Sequence, residues 1–146
     1  MSKQCKWLAM MVLTLSAALA KAELAIDSGY VRASLPGSTT TSAYMTLNNN
    51  SNTDVVITGV TTMAAGKVSI HSTMNHDGMM HMMEMETLKI AARKALVLEP
   101  GGMHLMLEKT VAALAAGSRI ELVLQFADGG KQTISLPVRS VVADQR

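Results

Sequence analysis

The chain has 146 residues, with 13 Lys or Arg against 11 Asp or Glu, so its formal net charge is +2. This length is enough for one domain with a single hydrophobic core. Three of the basic residues lie before residue 22, and without them the balance is 10 basic against 11 acidic side chains. The charge therefore gives no reason to expect a nucleic-acid partner or an anionic membrane surface.

Residues 1–22 have the layout of a secretory signal peptide. Two lysines precede an apolar run over residues 7–20, and Ala20 and Ala22 then form an Ala-x-Ala cleavage pattern. A membrane anchor is the alternative, but the run is short for a bilayer span. We therefore expect export and a single mature domain, residues 23–146, that does not insert into the membrane.

The only cysteine, Cys5, lies in this N-terminal segment and precedes the apolar run, which is not where a lipoprotein cysteine lies. Cleavage would leave a domain with neither a thiol nor a disulfide. A blue-copper electron carrier requires a cysteine thiolate. That class of protein is therefore excluded for the mature chain.

The mature sequence is a succession of short strand patterns separated by turns. The segment Arg119–Phe126 has the clearest period of two, which indicates a half-buried strand. Asp128-Gly129-Gly130 predicts a turn before a returning strand around Ile134–Val138. One short helix is expected at Thr110–Ala116, ended by Gly117. Further strands are expected at residues 30–34, 42–47, 54–61 and 67–73, with turns at 36–37 and 48–52.

Many short strands with at most one short helix predict an all-β fold, an antiparallel sandwich or barrel. An immunoglobulin-like adhesion module or a pilus-type module has the same pattern. The function therefore has to be inferred from individual side chains.

Methionine and histidine are concentrated between Met74 and Met85, where the sequence reads Met-Asn-His-Asp-Gly-Met-Met-His-Met-Met-Glu-Met. A core would mix methionine with other aliphatic residues, so packing alone explains this segment poorly. A hairpin turn at Asn75–Gly78 would place His71 directly opposite Met82. Directly opposed Cβ atoms lie about 4.5–5.5 Å apart, close enough for both side chains to bind one metal ion.

A second pair of donors, His104 and Met106, lies on another predicted strand. Leu105 and Leu107 occupy the face that would point to the core, which leaves the two donors on the other face. Side chains two residues apart on a strand can reach the same point. We expect both to point outward.

Thioether sulfur is a soft neutral donor and imidazole a borderline one, so a His/Met set suits Cu(I), with Ag(I) as a mimic. Ca²⁺ and Mg²⁺ take oxygen ligands, and Zn²⁺ is bound by thiolate, imidazole and carboxylate. Methionine cannot form a disulfide, which favours it outside the cytoplasm. These residues indicate an exported Cu(I)-binding protein.

With these residues identified, the sequence resembles the periplasmic copper chaperones called PCu(A)C. Their metal motif is a His, ten residues, a Met, twenty-one residues, and then His-x-Met. His71, Met82, His104 and Met106 match every interval. The likeness extends through Val31–Ser34, Ala43–Met45, Asp77-Gly78, Pro100–Gly102 and Leu122–Phe126.

The resemblance implies a cupredoxin-like Greek-key β-sandwich in the periplasm that binds one Cu(I) per chain through those four side chains. It also implies delivery of copper to an acceptor protein, either cytochrome c oxidase subunit II or another copper carrier. Scavenging of copper or silver is the alternative function. We expect a monomer and no enzymatic activity, because no catalytic constellation is evident.

Four further donors depart from the family pattern, namely His76, His81, Met79 and Met80. They form an accessory metal site, part of an alternative ligand set, or ordinary solvated side chains at a hairpin turn. The sequence leaves these alternatives open.

Overall fold

The computed structural model describes residues 23–140, so the predicted signal peptide lies outside the described residues. Within that range the chain forms ten β-strands and no helix. No helix there is long and apolar enough to cross a bilayer. The strands are β1 (Ala25–Arg32), β2 (Thr40–Asn48), β3 (Val55–Thr61), β4 (Ala65–His76), β5 (Met79–Met85), β6 (Leu88–Ile90), β7 (Ala95–Leu98), β8 (Met103–Thr110), β9 (Arg119–Phe126) and β10 (Lys131–Arg139).

The described strands form one sheet in the order β5-β4-β8-β2-β1-β10-β9-β3-β6, with β7 paired to β2. A bridge between β3 and β4, at Val60 and Val68, closes this sheet on itself. The pairings of these strands are antiparallel except β1 with β10, which is parallel. The all-β prediction is confirmed. The sheet is mixed rather than wholly antiparallel because β1 and β10 are far apart in sequence, so no tight turn sets their relative direction.

The core lies inside the closed sheet and is filled by alternate residues of its strands. β9 spans Arg119–Phe126 as predicted, and its even-numbered side chains, such as Leu122 and Leu124, are buried. Ile134 of β10 is paired with Leu122. Full burial of one such aliphatic side chain stabilises the fold by roughly 1.5–3 kcal/mol. On β8, Leu105 and Leu107 face the same core.

The predicted helix at Thr110–Ala116 is wrong. Thr110 is the last residue of β8, and the backbone groups that follow bond to other parts of the chain. Val111 N–H donates to the Ala64 carbonyl, and Leu114 N–H donates to Ser34 Oγ. These tertiary hydrogen bonds replace the i to i−4 bonds that a helix requires.

The short strands β6 and β7 are not among the predicted elements. β6 is held partly by Asn49, a buried residue just after β2. Its side-chain Nδ2 donates to the carbonyls of Thr53 and Ile90. The asparagine-rich turn at residues 48–52 is therefore also an anchor for β6.

Candidate metal centre

Three of the predicted ligands lie on one face of two neighbouring strands, β4 and β8. His71 is directly opposite His104, and Met106 is directly opposite Ser69. Paired residues share a face of the sheet, as do residues two apart on one strand. Because Leu105 points to the core, the face that carries the three donors is the outer one.

The β4–β5 hairpin has a different register from the predicted one. Its turn is the dipeptide Asp77-Gly78, with φ angles of 52° and 76°, which is typical of a type I′ turn. His71 is consequently opposite Glu84, and Met82 is opposite Thr73. The predicted direct pairing of His71 with Met82 is wrong because the turn has two residues rather than four.

This shift of two residues preserves the face on which Met82 lies. Because successive side chains alternate, only an odd shift would move it to the other side of the sheet. Met82 is now a diagonal neighbour of His71, at about 7–8 Å, which is within reach of a long side chain. Its side chain is 54% exposed, so it lies at the rim of the candidate centre.

His104 lies on the outer face, as predicted, but it is buried, with only 6% of its surface exposed. Its ring centroid is 6.3 Å from that of Tyr44 and 5.7 Å from that of His71. The two imidazoles are nearly parallel, with an interplanar angle of 25°. Tyr44 and His71 thus cover His104, whereas Met106 is half-buried.

A hydrogen bond to the backbone sets the tautomer of the neutral His104 ring. Its Nδ1 lies 3.1 Å from the carbonyl oxygen of Gly102. A carbonyl can only accept, so Nδ1 carries the proton and donates it. In the neutral ring the lone pair is then on Nε2, which is the nitrogen available to a metal.

Two side chains in sequence, Ser69 and Glu108, set the opposite tautomer in the neutral His71 ring. Its Nε2 lies 2.8 Å from Ser69 Oγ, and that hydroxyl donates to Glu108 Oε2 at 3.1 Å. The Ser69 hydroxyl has a single proton and donates it to the Glu108 carboxylate. Towards His71 the Ser69 oxygen can therefore only accept, from Nε2–H. The lone pair of His71 is therefore on Nδ1.

This Nδ1 atom is buried and has no hydrogen-bond partner among the described residues. Leaving such a group unsatisfied costs about 1–3 kcal/mol. Unpaired buried polar atoms are rare and call for an explanation, of which a bound ion is one. His71 Nδ1 is therefore the atom that most directly makes this place a candidate metal centre.

The charged groups beside the imidazoles form one cluster of one lysine and two carboxylates. Lys67 Nζ lies 3.2 Å from Glu84 Oε1 and 3.6 Å from Glu108 Oε2. The hydrogen bond and charge of Glu84, followed by the charge of Glu108, raise the pKa of Lys67. Because Lys67 pairs with both carboxylates, the donors offered to a metal on this face are imidazole and thioether.

This donor set fits a soft monovalent ion. The region 23–140 holds no group of three or more His, Cys, Asp or Glu side chains arranged to bind a metal. Two imidazole lone pairs beside a half-buried thioether suit Cu(I) or Ag(I), and not Ca²⁺ or Mg²⁺.

The structure divides the predicted accessory residues between two faces of the hairpin. Met80 is opposite Asn75 and lies on the same face as Met82 and His71. His76 is opposite Met79, and this pair lies on the other face together with His81. The four accessory residues therefore do not form one cluster.

Sequence reasoning missed two groups that position the imidazoles, the Glu108 carboxylate and the Gly102 carbonyl. A signal for Glu108 was present, because it follows Met106 by two residues on a predicted strand and so shares its face. The Gly102 carbonyl has no such signal. A backbone atom becomes a hydrogen-bond acceptor for a ring only through the local path of the chain.

A family model described as "Putative lipoprotein LpqE-like" matches residues 24–138. This chain belongs to the LpqE-like family. The chain is also similar to "Putative lipoprotein Lxx21020" of Leifsonia xyli subsp. xyli (strain CTCB07), with 32% identity over 115 residues, which cover 78% of this chain and 68% of that protein.

Solved structures of PCuAC-type proteins share this fold. CuI-DR1885 from Deinococcus radiodurans is 30% identical, with a TM-score of 0.65 over 86% of this chain and 85% of its own. The copper-bound PCuAC domain from PmoF2 is 22% identical, with a TM-score of 0.68 over 80% of this chain and 92% of its own. The resemblance to the PCu(A)C family and the cupredoxin-like fold are thereby confirmed.

Proposed function

We propose that this LpqE-like protein is an exported Cu(I) chaperone that holds one ion on the outer face of β4 and β8. The observation that carries the proposal is the His71–His104 pair, in which hydrogen bonds leave one imidazole lone pair on each ring. Two similar proteins, the copper-bound domain from PmoF2 and CuI-DR1885, support copper as the cargo.

The proposed ligands are His71 Nδ1, His104 Nε2 and the thioethers of Met106 and Met82. They differ in accessibility, because His104 is buried whereas Met82 is more than half exposed. A partner can therefore approach the ion from the Met82 side while the imidazoles still hold it. This difference in accessibility suits transfer by ligand exchange, with Met82 as the first ligand to be replaced.

The acceptor we propose is the copper centre of cytochrome c oxidase subunit II, with another copper carrier as the alternative acceptor. The mature domain, residues 23–146, would act as a periplasmic monomer without catalysing a reaction. The lipoprotein name of the Leifsonia relative supports export. Scavenging of copper or silver is the competing function, and the exposed methionines of the hairpin favour it.

Conservative variants of the ligands test the site. His104→Asn keeps a donor for the Gly102 carbonyl but lacks Nε2, and His71→Gln keeps a donor for Ser69 but lacks Nδ1. We expect each of these, and Met106→Leu, to weaken Cu(I) binding at least about 10-fold, as disturbances of metal ligation do. The measurement is anaerobic competition with a chromogenic Cu(I) chelator, with circular dichroism as the check on folding.

Met63→Leu is the matched control, because Met63 is 95% exposed and lies outside the His/Met faces. Its affinity should equal that of the wild type. Unchanged affinity in both His104→Asn and Met106→Leu would overturn the proposed site. The same samples separate the two functions: a chaperone loses its Cu(I) to an apo oxidase subunit II domain, whereas a scavenger keeps it.

A further inference from the structure

The hairpin tip carries a second His/Met set on the face away from His71. In the β4–β5 pairing, His76 is directly opposite Met79, and Met74 is directly opposite His81. Met74 and His76 are two residues apart on β4, as are Met79 and His81 on β5, so all four side chains share one face. These four residues thus repeat the donor types of the candidate metal centre, two imidazoles and two thioethers, and Met83, opposite Ser72, lies farther along the same face.

Packing does not account for these side chains. The first residue of β8, Met103, is paired with Ser72 of β4, so the hairpin beyond residue 73 projects past its neighbouring strand. Met74 is 55% exposed and Met79 is 63% exposed. Thioethers of this exposure fill no space in the core, and they are not needed for the Asp77-Gly78 turn.

The register places the four donors at the corners of a small rectangle. Directly opposed Cβ atoms lie about 4.5–5.5 Å apart. Residues two apart on one strand are separated by roughly 6.6 Å. Long, unbranched methionine side chains can lean from such corners towards one point above the sheet. His76 Nε2 lies 3.6 Å from Asp77 Oδ2, in an exposed pair.

The second face cannot share its ion with the first. Met80 and Met82 lie on the His71 face, and the two-stranded ribbon separates them from Met79 and His81. Side chains on opposite faces of a sheet diverge. The ribbon therefore presents two separate sets of soft donors.

We propose that Met74, His76, Met79 and His81 form a second Cu(I) site at the hairpin tip, on the face away from His71. Thioethers with imidazoles select Cu(I) or Ag(I) over hard cations. This site is weaker than the one at His71 and His104. Its side chains are exposed and lose conformational freedom on binding, whereas the rings of the first site are already held by hydrogen bonds.

Anaerobic titration of the whole protein with Ag(I), and separately with Cu(I), tests this proposal. The wild type should bind two ions in two steps. Met74→Leu/Met79→Leu and His76→Asn/His81→Asn should each weaken the second step at least about 10-fold and leave the first unchanged. In NMR spectra, the ε-methyl signals of Met74 and Met79 should move during the second step.

Met80→Leu is the matched control, since Met80 neighbours Met79 in sequence but lies on the opposite face. It should leave the second step unchanged. A single binding step in the wild type, or equal losses in Met80→Leu and Met74→Leu/Met79→Leu, would overturn the second site.

This inference goes beyond the proposed chaperone function and fails separately from it. His104→Asn should weaken the first step at least about 10-fold while the hairpin step persists. If His104→Asn changes nothing but the hairpin variants lose one step, the proposed function is refuted and the second site stands.

Discussion

The two faces of the β4–β5 hairpin carry the same kinds of donor but hold them in different ways. On the His71 face, β4 is flanked by both β5 and β8, and hydrogen bonds that the rings donate to Ser69 Oγ and to the Gly102 carbonyl orient them. On the other face, Met74 and Met79 lie on a ribbon that projects beyond β8, and both are exposed.

If the two faces bind copper as proposed, residue type selects the metal, whereas support from the fold sets how tightly it is held. An imidazole that is already oriented with the correct lone pair free loses little entropy on binding. An exposed thioether has to be ordered by the ion itself. We therefore expect tight binding on the first face and fast exchange on the second.

The largest effect is expected from removing the support on the first face. Ser69→Ala frees His71 Nε2 and lets the ring exchange its tautomers, which should weaken Cu(I) binding about 10-fold. Chelator competition measures the affinity, and the ring ¹⁵N signals of the apo protein report the tautomer. In the wild type they should show Nε2–H for His71 and Nδ1–H for His104.

Ser69→Thr keeps the hydroxyl and should restore most of the affinity. Ser72→Ala is the matched control, because Ser72 lies on the opposite face of the same strand. If Ser69→Ala binds Cu(I) as tightly as the wild type, the fold does not pre-orient His71 for the metal, and the contrast between the two faces disappears.

An intermediate effect is expected from straining the hairpin turn. Gly78 has φ of 76°, a conformation that costs a residue with a Cβ about 1–2 kcal/mol. Gly78→Ala should therefore lower the melting temperature and weaken Ag(I) binding at the hairpin face a few-fold, by analogy with small losses of preorganisation. The His71 face should bind as before, because β8 also holds β4.

Gly37→Ala is the control for this prediction. Gly37 has nearly the same φ, 77°, and an added Cβ would meet nothing within 4 Å at either glycine. It should lower the melting temperature similarly without affecting the hairpin face. Equal losses of Ag(I) binding in both variants would show that the turn has no specific role in the second site.

The smallest effect is expected from the charges at the border of the first face. The pKa of Lys67 is raised above its ordinary 10.5 by Glu84 and Glu108. A raised pKa means that the pairing stabilises the fold below pH 10.5 and that this contribution is lost as pH rises through the raised value.

Lys67→Met should accordingly have a slightly lower melting temperature than the wild type at neutral pH. This difference in melting temperature should disappear at high pH and in high salt. Differential scanning calorimetry across this range checks the sign. Lys89→Met, which breaks the exposed Lys89–Asp54 pair remote from the His71 face, is the control. A difference in melting temperature that grows with pH would contradict the stabilising role of the Lys67 ion pairs.

The parts of the fold that sequence reasoning predicted are those governed by local alternation. β9 and β10 follow from the apolar period of two, and the outer face of His104 and Met106 follows from Leu105 and Leu107. The non-helical path after Thr110 depends on hydrogen bonds to Ala64 and Ser34. These partners are distant in sequence, so a local pattern carries no information about them.

The identity of the donors and the face on which each lies were readable from the sequence alone, because strand alternation is a local property of the backbone. The tertiary structure decided which of those donors meet. It alone placed His71 against His104, set Met82 opposite Thr73 through a two-residue turn, and buried His104 beneath Tyr44. Strand pairing joins residues far apart in the chain, so its register is chosen by the packing of the whole sheet.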